Sequence, residues 1–421
     1  MANQIKNMMK KRIISLVLLV LAVACGKGEG SANPVHDPTG KFVVVKGTQL
    51  YQADGSSFTI KGVNLNHWLT PESYMFGLKN ISVTETDKAF RQMLGDEYMN
   101  SWWKRFMENY FTLDDFLYLN SIGANTVRMP LTYKMFNDTF YLCDNSPEMG
   151  FEFIDKVVSW CKEAGLYLIL DMHVAPGGQS GAPHIDDSDG YPKLFESEEN
   201  MEEFCGIWKK IATRYADEPI ILGYELLNEP IKKEYERLYP YLQPTFEKAA
   251  AAIREVDKNH ILIIGGANFY DDFTPLTNLA FDSKILMTRH RYGSTVVKGD
   301  AELRDKYGLP IFIGEFGHWN GGTDMTAQIV SNMKSSGIGY TYWPFKKMDN
   351  WESLLGFDTP EGWQQISAFV SAQRDTPVQI QIALGNIDVE KARKAMEDYL
   401  VNCLFRNCFE RAEIKEGLQF K

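Results

Sequence analysis

Cysteine is scarce in this sequence, and the few cysteines are not arranged as in a metal site. Six occur among 421 residues, at positions 25, 143, 161, 205, 403 and 408. No Cys-x-x-Cys pair is present and no histidine spacing accompanies them, which argues against a zinc site. Apart from Cys25, the cysteines form an odd set that we expect to be mostly buried thiols. The sequence does not assign a disulfide between any two of them.

Clustered positive charge is also missing. The formal net charge is -11, with 44 Lys and Arg residues against 55 Asp and Glu residues. Binding to a phosphate backbone needs clustered Lys and Arg, so this composition argues against a nucleic-acid partner. A neutral ligand fits the composition better.

A long membrane-spanning segment is absent from the N-terminal region. Lysine and arginine residues precede an apolar run at residues 13–24. The run is too short to span a bilayer comfortably but suits the core of a signal peptide. We therefore predict an exported protein.

The end of this run suggests a lipid anchor. Residues 21–25 read Leu-Ala-Val-Ala-Cys, which resembles a bacterial lipobox with Ala22 in place of the usual leucine. We predict a lipoprotein-type signal peptide at 1–25, with Cys25 lipidated at the cell envelope, and a flexible linker at 26–40. The alternative is an ordinary signal peptide cut near Ala24.

Strand and helix patterns alternate along the rest of the chain. Strand-like apolar segments lie at 62–67, 125–131, 167–173, 220–228, 261–265, 285–290, 310–315 and 339–344. Helical patterns lie at 151–164, 198–215, 242–256, 301–307, 325–335 and 363–369. This alternation predicts an α/β fold, a closed (β/α)8 TIM barrel with its chemistry at the carboxyl ends of the strands. An open doubly wound sheet is disfavoured, because no Gly-rich phosphate turn follows the first strand.

Two segments flank the predicted barrel. Strand patterns at 42–45, 50–52 and 58–61 predict an N-terminal β-hairpin that closes the bottom of the barrel. An amphipathic helix at 388–410 is expected to pack against the barrel rather than form an interface. The predicted domains are a catalytic barrel at 41–375 and a C-terminal helical extension at 376–421.

Two of the predicted strands end on a glutamate. Residues 220–230 read Ile-Ile-Leu-Gly-Tyr-Glu-Leu-Leu-Asn-Glu-Pro, so that Asn228 and Glu229 follow a buried strand where proline stops it. Residues 310–317 read Pro-Ile-Phe-Ile-Gly-Glu-Phe-Gly and deliver Glu315 in the same way. Two carboxyl groups at the ends of two buried strands predict paired-carboxylate chemistry.

Other polar and aromatic residues collect at the strand ends as well. They are Asn64, Asn66, His67, Trp68, Arg128, Asp171, His173, His290, Tyr292, His318 and Trp343. Any one of them has a structural explanation, as a buried hydrogen bonder or a packing residue, but the collection indicates an active site. Metal binding by Asp171, His173 and His290 is an alternative that lacks a Glu-x-x-His or paired-His motif.

Six features occur together and in a fixed order along the chain. They are Arg128 in Asn-Thr-Val-Arg-Met-Pro, His173 in Leu-Asp-Met-His, Asn228-Glu229-Pro230, His290-Arg291-Tyr292, Glu315 in Ile-Gly-Glu-Phe-Gly, and Trp343. Together they resemble glycoside hydrolase family 5, the cellulase family, over roughly residues 41–369. The resemblance implies a (β/α)8 barrel that cleaves a β-glycosidic bond with retention of anomeric configuration and needs no metal or other cofactor.

The resemblance implies that Glu229 is the acid/base and Glu315 the nucleophile. Double displacement needs two carboxyl groups about 5 Å apart, one to attack the anomeric carbon and one to protonate the leaving oxygen. We expect the negative charge of Glu315 to keep Glu229 protonated. Arg128 and Tyr292 are expected to keep Glu315 ionised.

The remaining candidates are assigned to substrate binding. Asn228 is placed to bind the sugar 2-hydroxyl, and His173 and His290 to position hydroxyls and neighbouring side chains. Trp343 offers a flat face for a pyranose ring. Trp68 or Trp319 is expected to do the same at a neighbouring subsite.

Some features are similar to the exo-β-1,3-glucanase branch of the family. These are residues 62–69, followed by Glu72, and residues 173–179. In that branch a glutamate near the first strand holds the terminal sugar, which implies exo cleavage if Glu72 does so here; the alternative is a surface loop residue. His67 replaces the usual glycine of the branch. The long connection at 174–195 is expected to form a wall or a lid of the cleft.

The leading hypothesis is a retaining β-glycosidase acting on β-glucans or their oligosaccharides, working as a monomer. Its alternatives within the family are enzymes directed at β-mannan or another β-glycan. Two alternatives belong to other functional classes. One is a catalytically silent carbohydrate-binding protein of the cell envelope, and the other is a metal-dependent barrel enzyme. The presence of both glutamates disfavours the silent protein.

Overall fold

The computed structural model describes residues 42–317, 324–348 and 352–421. The predicted signal peptide, the linker and Cys25 lie outside the described residues, as do His318 and Trp319. Within the described part of the chain, no helix combines the length and the apolar character that crossing a bilayer requires.

A small antiparallel sheet opens the described chain. Its strands are β1 (Val44–Lys46), β2 (Gln49–Tyr51) and β3 (Ser57–Phe58). Leu50 and Phe58 share one buried cluster with the barrel-strand residues Ile169 and Leu222. The predicted N-terminal hairpin is therefore present, and its apolar face packs against the barrel.

Eight parallel strands close into a barrel, as predicted. They are β4 (Lys61–Asn64), β5 (Thr126–Thr132), β6 (Tyr167–Val174), β7 (Ile221–Glu225), β8 (Ile261–Gly265), β9 (Ile285–Tyr292), β10 (Ile311–Gly317) and β11 (Gly339–Tyr342). The first strand pairs with the last, through Gly62 opposite Thr341. Closure turns the carboxyl ends of all eight strands toward one face, where the predicted polar residues collect.

Helices separate the strands and extend beyond them. They are α1 (Val83–Leu94), α2 (Asp96–Asn109), α3 (Leu113–Ile122), α4 (Met149–Ala164), α5 (Pro183–Asp186), α6 (Glu198–Tyr215), α7 (Leu242–Arg254), α8 (Ala267–Tyr270), α9 (Lys298–Tyr307), α10 (Asp324–Ser335), α11 (Trp363–Ser371), α12 (Pro377–Gly385), α13 (Val389–Asn402) and α14 (Ala412–Leu418). Short 3-10 helices lie at Ser73–Phe76, Tyr133–Met135, Lys193–Phe195, Lys233–Tyr241 and Phe405–Asn407.

Helices α1 to α3 form an insertion between the first two barrel strands that the predicted alternation did not include. The Ser82 hydroxyl accepts a hydrogen bond from the Glu85 amide (3.1 Å) and so caps α1. Gly95, at φ +86°, turns the chain from α1 into α2. The insertion buries Trp102 and Trp103 completely, so it adds an aromatic layer to the outside of the barrel.

The C-terminal extension packs against this aromatic layer, as predicted. The Trp102 indole donates to the Met396 carbonyl of α13 (2.8 Å), and Arg105 forms a forked ion pair with Glu397 (2.6 and 2.8 Å). The predicted helix at 388–410 is too long, because the chain leaves the helix after Asn402 and forms strand β14 (Phe409–Glu410).

Strand β14 belongs to a second small sheet. It pairs antiparallel with β13 (Leu355–Phe357), which pairs parallel with β12 (Lys346–Met348). Strands β12 and β13 follow the last barrel strand, so the C-terminal segment reaches the face of the barrel where the strands end.

Candidate active site

Arg128 on β5 is the centre of the polar network at the strand ends. Its side chain is completely buried. Nε and Nη2 donate to the two oxygens of Glu225 (2.7 and 2.8 Å), and Nη2 also lies 3.0 Å from Asp171 Oδ2. Nη1 donates to Glu315 Oε1 (2.8 Å). A buried guanidinium paired with several carboxylates fixes the position of each of them.

Glu315 lies near the end of β10 and is held through both oxygens. Oε1 accepts from Arg128, and Oε2 accepts from the Tyr292 hydroxyl at 2.7 Å. The side chain is only 6% exposed. These two hydrogen bonds hold the carboxyl group in one orientation in the cleft.

Glu229 follows β7 in a strained turn. Its φ is +44°, a left-handed conformation that residues other than glycine rarely adopt. The preceding residue is held at two points. The backbone N–H of Asn228 donates to the Met172 carbonyl (3.0 Å), and its side-chain oxygen Oδ1 accepts from Arg128 (2.8 Å). The turn thus brings the Glu229 carboxyl into the cleft beside His290, whose Nδ1 lies 2.6 Å from Glu229 Oε1.

The carboxyl groups of Glu229 and Glu315, the two glutamates singled out from the sequence, lie close together. One oxygen of Glu229, one oxygen of Glu315 and a ring nitrogen of His290 all lie within 4.8 Å of one another. Burial raises the pKa of Glu229 to about 7, and burial lowers the pKa of His290 to about 4. The sequence-based expectation attributed the protonation of Glu229 to the charge of Glu315, whereas burial is the largest cause.

Asp171 links Arg128 to His173. His173 Nδ1 lies 2.8 Å from Asp171 Oδ2, and its ring lies parallel to that of Trp343, with centroids 5.8 Å apart. Burial lowers the pKa of His173 to about 4, so its imidazole is neutral at neutral pH. A neutral ring that is oriented by a carboxylate can donate to or accept from a sugar hydroxyl.

These residues border a cleft of about 700 Å³. Its lining includes Glu72, Tyr74, Asn80, His173, His184, Ile185, Glu229, Phe269, Asp271, His290, Arg291, Tyr292, Ser294, Glu315, Gly317, Trp343, Pro344 and Glu352. A cleft of this size with a few converging polar groups fits a small organic ligand or one to a few sugar rings.

Glu72 lies in the wall of the cleft rather than on an outer surface loop. It is 7% exposed, and burial, followed by the charges of Glu315 and Glu229, raises its pKa well above the usual range. Of the two alternatives for this residue, the position in the cleft is the one that the structure supports.

Trp68 does not border the cleft, so a sugar-binding role for it does not fit its position. Its indole is 1% exposed, donates to the Met107 carbonyl (2.8 Å) and stacks on Trp160. His67 has φ +59°, and this left-handed turn directs the following side chain into the helical layer. His67 itself bonds the Tyr399 hydroxyl at 3.2 Å and has a packing role.

Asn64 and Asn66, two of the polar residues predicted at the strand ends, have structural roles. Asn64 accepts from Arg128 Nη1 (2.9 Å) and donates to the Gly314 carbonyl (3.0 Å). Asn66 accepts from the Phe345 amide (2.8 Å). Both side chains join barrel segments, and neither lines the cleft.

The metal alternative requires Asp171, His173 and His290 to share one ion. His173 turns Nδ1 to Asp171, whereas His290 turns Nδ1 to Glu229. Among the described residues, the group with ligand atoms close enough to hold an ion is Glu229, His290 and Glu315. The three residues chosen from the sequence do not form that group.

Two further residues support the site although the sequence analysis assigned no role to either of them. Gln179 in the loop after β6 donates from Nε2 to the carbonyls of His173 (2.8 Å) and Asn228 (2.9 Å), and thereby supports the turn before Glu229. Tyr270 donates to Glu225 Oε1 (3.0 Å) from a segment with three consecutive positive φ values. Neither follows a recognisable strand end.

The family model described as Cellulase (glycosyl hydrolase family 5) matches residues 83–349. The chain belongs to glycoside hydrolase family 5. This is the family that the sequence resemblance indicated.

The names of curated relatives that this chain resembles describe enzymes that act on β-glycosides. The chain is 30% identical to a beta-xylosidase of Phanerodontia chrysosporium over 233 residues (55% of this chain, 48% of the relative). It is 30% identical to a glucan 1,3-beta-glucosidase of Candida oleophila over 186 residues (41% and 42%). It is 25% identical to a glucan 1,3-beta-glucosidase of Kluyveromyces lactis over 364 residues (76% and 79%). The matches thus span less than half of the first two relatives.

Solved structures support the barrel fold. The rutinosidase from Aspergillus niger superposes with a TM-score of 0.55 at 20% identity, covering 70% of this chain and 91% of the other. An endogalactoceramidase superposes with a TM-score of 0.54 at 17% identity, covering 85% and 84%. At these identities the similarity concerns the fold alone.

Proposed function

We propose that this family 5 protein is a retaining β-glycosidase that hydrolyses β-glucans or their oligosaccharides, with Glu229 as acid/base and Glu315 as nucleophile. The observation that carries the proposal is the spacing of the two carboxyl groups, whose oxygens approach within 4.8 Å. Retaining glycosidases place these groups about 5 Å apart, whereas inverting enzymes need about 6.5–9.5 Å to admit a water molecule between them.

In the first step, an oxygen of Glu315 attacks the anomeric carbon. The bond from that carbon to the glycosidic oxygen breaks, and the leaving oxygen takes the proton of Glu229. The product is a glycosyl ester on Glu315. The hydrogen bonds from Arg128 and Tyr292 support this assignment, because they stabilise Glu315 as a charged nucleophile before the attack.

In the second step, the ionised Glu229 removes a proton from water, and the oxygen of that water attacks the anomeric carbon. The ester bond to Glu315 breaks, the sugar leaves with its original configuration, and Glu229 regains its proton. The pKa of Glu229, raised to about 7, suits a group that alternately donates and accepts a proton near neutrality.

The reacting sugar is proposed to lie on Trp343, between His173 and Asn228. Trp343 lines the cleft and provides an apolar ring face. The side-chain nitrogen of Asn228, Nδ2, is buried and has no hydrogen-bond partner among the described residues. A buried donor without a partner is costly, so a substrate hydroxyl that accepts from it would bind favourably.

A β-linked glucan is the favoured substrate class, because most of the relatives are named as glucanases or glucosidases. The position of Glu72 in the cleft wall supports exo action. A β-mannan or other β-glycan is the alternative. A catalytically silent carbohydrate-binding protein is disfavoured, because both carboxyl groups are in place beside their partners.

The proposal includes export and monomeric action. The barrel domain at 41–375 and the extension at 376–421 would follow the linker at 26–40 and a lipid anchor on Cys25. Loss of labelled fatty acid in Cys25→Ser would support the anchor, and unchanged labelling would contradict it.

The test of the function is the configuration of the first product. Aryl β-glucoside, β-xyloside and β-mannoside are hydrolysed while NMR follows the released sugar, and β-1,3, β-1,4 and mixed-linkage glucans, mannan and xylan are compared in parallel. The β-anomer should form first on the preferred substrate. Initial formation of the α-anomer contradicts retention, and binding without hydrolysis supports the silent protein.

A further inference from the structure

One wall of the cleft is a connected set of side chains that runs from Trp343 to Glu352. The Trp343 indole donates to the Tyr74 hydroxyl at 2.8 Å. Lys347 Nζ lies 4.7 Å from the centre of the Tyr74 ring and 3.8 Å from Glu352 Oε2. Glu72, Tyr74 and Glu352 line the cleft, with the mostly buried Lys347 among them. We call the side chains of Glu72, Tyr74, Trp343, Lys347 and Glu352 together the Glu72–Glu352 wall.

The C-terminal segment holds this wall from behind. Lys347 lies on β12 and Glu352 precedes β13, and β13 pairs with β14 of the C-terminal segment. Arg411 directly follows β14. Its Nη1 donates to Ser353 Oγ (2.9 Å) and to the Ser353 carbonyl (3.2 Å), and its amide donates to the Leu354 carbonyl (3.0 Å). These bonds fix the backbone immediately after Glu352.

The fit between Arg411 and the wall segment is close. A side chain on Gly356 would place its first carbon 2.3 Å from Arg411 Nη1, so the guanidinium packs directly on the β13 backbone. A second link lies at the start of the segment, where Lys346 Nζ forms a buried ion pair with Asp115 (2.7 Å) and donates to the Cys403 carbonyl (3.2 Å). The C-terminal extension therefore contacts the wall at both ends, through Cys403 and through Arg411.

The wall belongs to the glycone side of the cleft if the proposed function is correct. The acid must stand on the side of the leaving group, and Glu229 is next to His290. The glycone rests on Trp343, and Trp343 is joined to the wall through Tyr74. The wall therefore lies on the side of the reacting sugar that is opposite to the leaving group.

We propose that the C-terminal segment 409–411 is a specificity element of the active site, in which the positioning residue Arg411 keeps the Glu72–Glu352 wall closed after one neutral hexose. This inference rests on the proposed function and deepens it. Carboxyl and ammonium groups can together bind several hydroxyls of a terminal sugar. A terminal uronic acid would bring a further carboxyl group into this wall, where burial already raises the pKa of Glu72 and of Glu352, so the charged form of that acid is disfavoured.

The test compares Arg411→Ala with Arg406→Ala, a matched control because Arg406 is an exposed arginine of the same C-terminal extension, outside segment 409–411. Substrates are an aryl β-monoglucoside and β-1,3- and β-1,4-linked glucose pentasaccharides labelled at the reducing end. The wild type and Arg406→Ala should release monosaccharide first. Arg411→Ala should also release disaccharide. Its KM for the monoglucoside should rise about tenfold while kcat changes less than about threefold, because the loss concerns ground-state binding.

Two results with folded Arg411→Ala would overturn the inference. One is a product pattern and KM equal to those of Arg406→Ala. The other is an equal fall of kcat on every substrate with KM unchanged, which places the effect on the two reacting carboxyl groups instead. If Arg411→Ala does not fold, Glu352→Gln carries the test, since it changes the wall itself. An unchanged product pattern in that variant would also overturn the inference.

The wild-type protein separates this inference from the proposed function. Release of larger oligosaccharides from chain interiors, with retention, overturns the single-hexose wall and leaves the two-carboxyl mechanism standing. Absence of hydrolysis on every β-glycoside overturns the proposed function itself.

Discussion

Nδ1 of His290 lies 2.6 Å from Oε1 of Glu229, in a pocket where burial shifts the two groups toward their neutral forms. The pKa of the carboxyl is raised to about 7 and that of the imidazole is lowered to about 4. Between these values a neutral ring therefore contacts a protonated acid. The pair keeps one transferable proton beside Glu315 without placing a cationic histidine there.

We expect activity on unactivated glycosides to fall as pH rises through about 7. The acid must be protonated to assist the leaving group, so kcat/KM should lose about tenfold per pH unit above the pKa of Glu229. The measurement is a pH profile on a β-linked disaccharide. In Glu229→Ala, the rate of the first step with an activated aryl glycoside should not fall at alkaline pH. A wild-type profile that stays flat to pH 9 would contradict the assignment.

Glu229→Ala should discriminate between leaving groups. Substrates with poor leaving groups need the proton and should lose activity by about 10²–10⁴-fold, whereas an aryl glycoside with a good leaving group should keep most of its first-step rate. Pre-steady-state kinetics on a series of aryl glycosides of increasing leaving-group pKa measures this. Equal losses across the series argue against acid catalysis by Glu229.

Glu315→Gln should bind sugar nearly as well as the wild type and turn it over several orders of magnitude more slowly. The amide keeps the shape of the side chain but does not attack the anomeric carbon, so the loss falls on the transition state. Calorimetric titration with an oligosaccharide measures binding and a discontinuous assay measures turnover. Near-normal turnover would reject the nucleophile assignment.

The pairing of these glutamates was predictable because it follows from topology. Glu229 and Glu315 are distant in the chain, but each follows an apolar strand segment that ends on proline or glycine. In a closed parallel barrel all such ends lie on one face, so strand periodicity alone places both carboxyl groups there. Arg128 on β5 contacts Glu315 at the same face of the barrel.

Loop-dependent features were not predictable in this way. Trp68 occupies a strand end in the sequence, but the left-handed His67 turns it into the helical layer, and histidine does not signal such a turn. Tyr74 and Glu352 reach the cleft from segments without strand periodicity. The cause of the Glu229 pKa shift was also missed, because burial depends on packing that no local pattern records.

Arg128→Met should destabilise the fold by about 3–5 kcal/mol at pH 7. The change leaves the buried carboxyl groups of Asp171, Glu225 and Glu315 without the cation that pairs with them. The loss should be smaller at pH 5, where a carboxyl group deprived of its partner is more readily protonated. Urea unfolding at the two pH values measures the difference.

The matched control is Arg214→Met, which breaks the half-exposed ion pair with Asp155. Exposed ion pairs contribute about 0–1 kcal/mol to the free energy of unfolding, so the stability of this variant should remain close to that of the wild type. Similar losses in the two variants would mean that the buried network is not the source of the effect.

Glu229→Gln should be more stable than the wild type at pH 7 and lose that advantage as the pH falls to 4.5. The pKa of Glu229 is raised by burial from 4.5 to about 7, so between these values the folded protein keeps a proton that the unfolded chain releases. Because the unfolded chain binds fewer protons, the free energy of unfolding of the wild type decreases with rising pH, by up to about 3 kcal/mol at pH 7. Glutamine does not titrate and escapes this loss. Urea unfolding at several pH values measures the gap, with the exposed Glu361→Gln as control. A gap that is constant from pH 4.5 to 7 would mean that the folded protein does not hold the Glu229 proton, and with it the acid role would lose its physical basis.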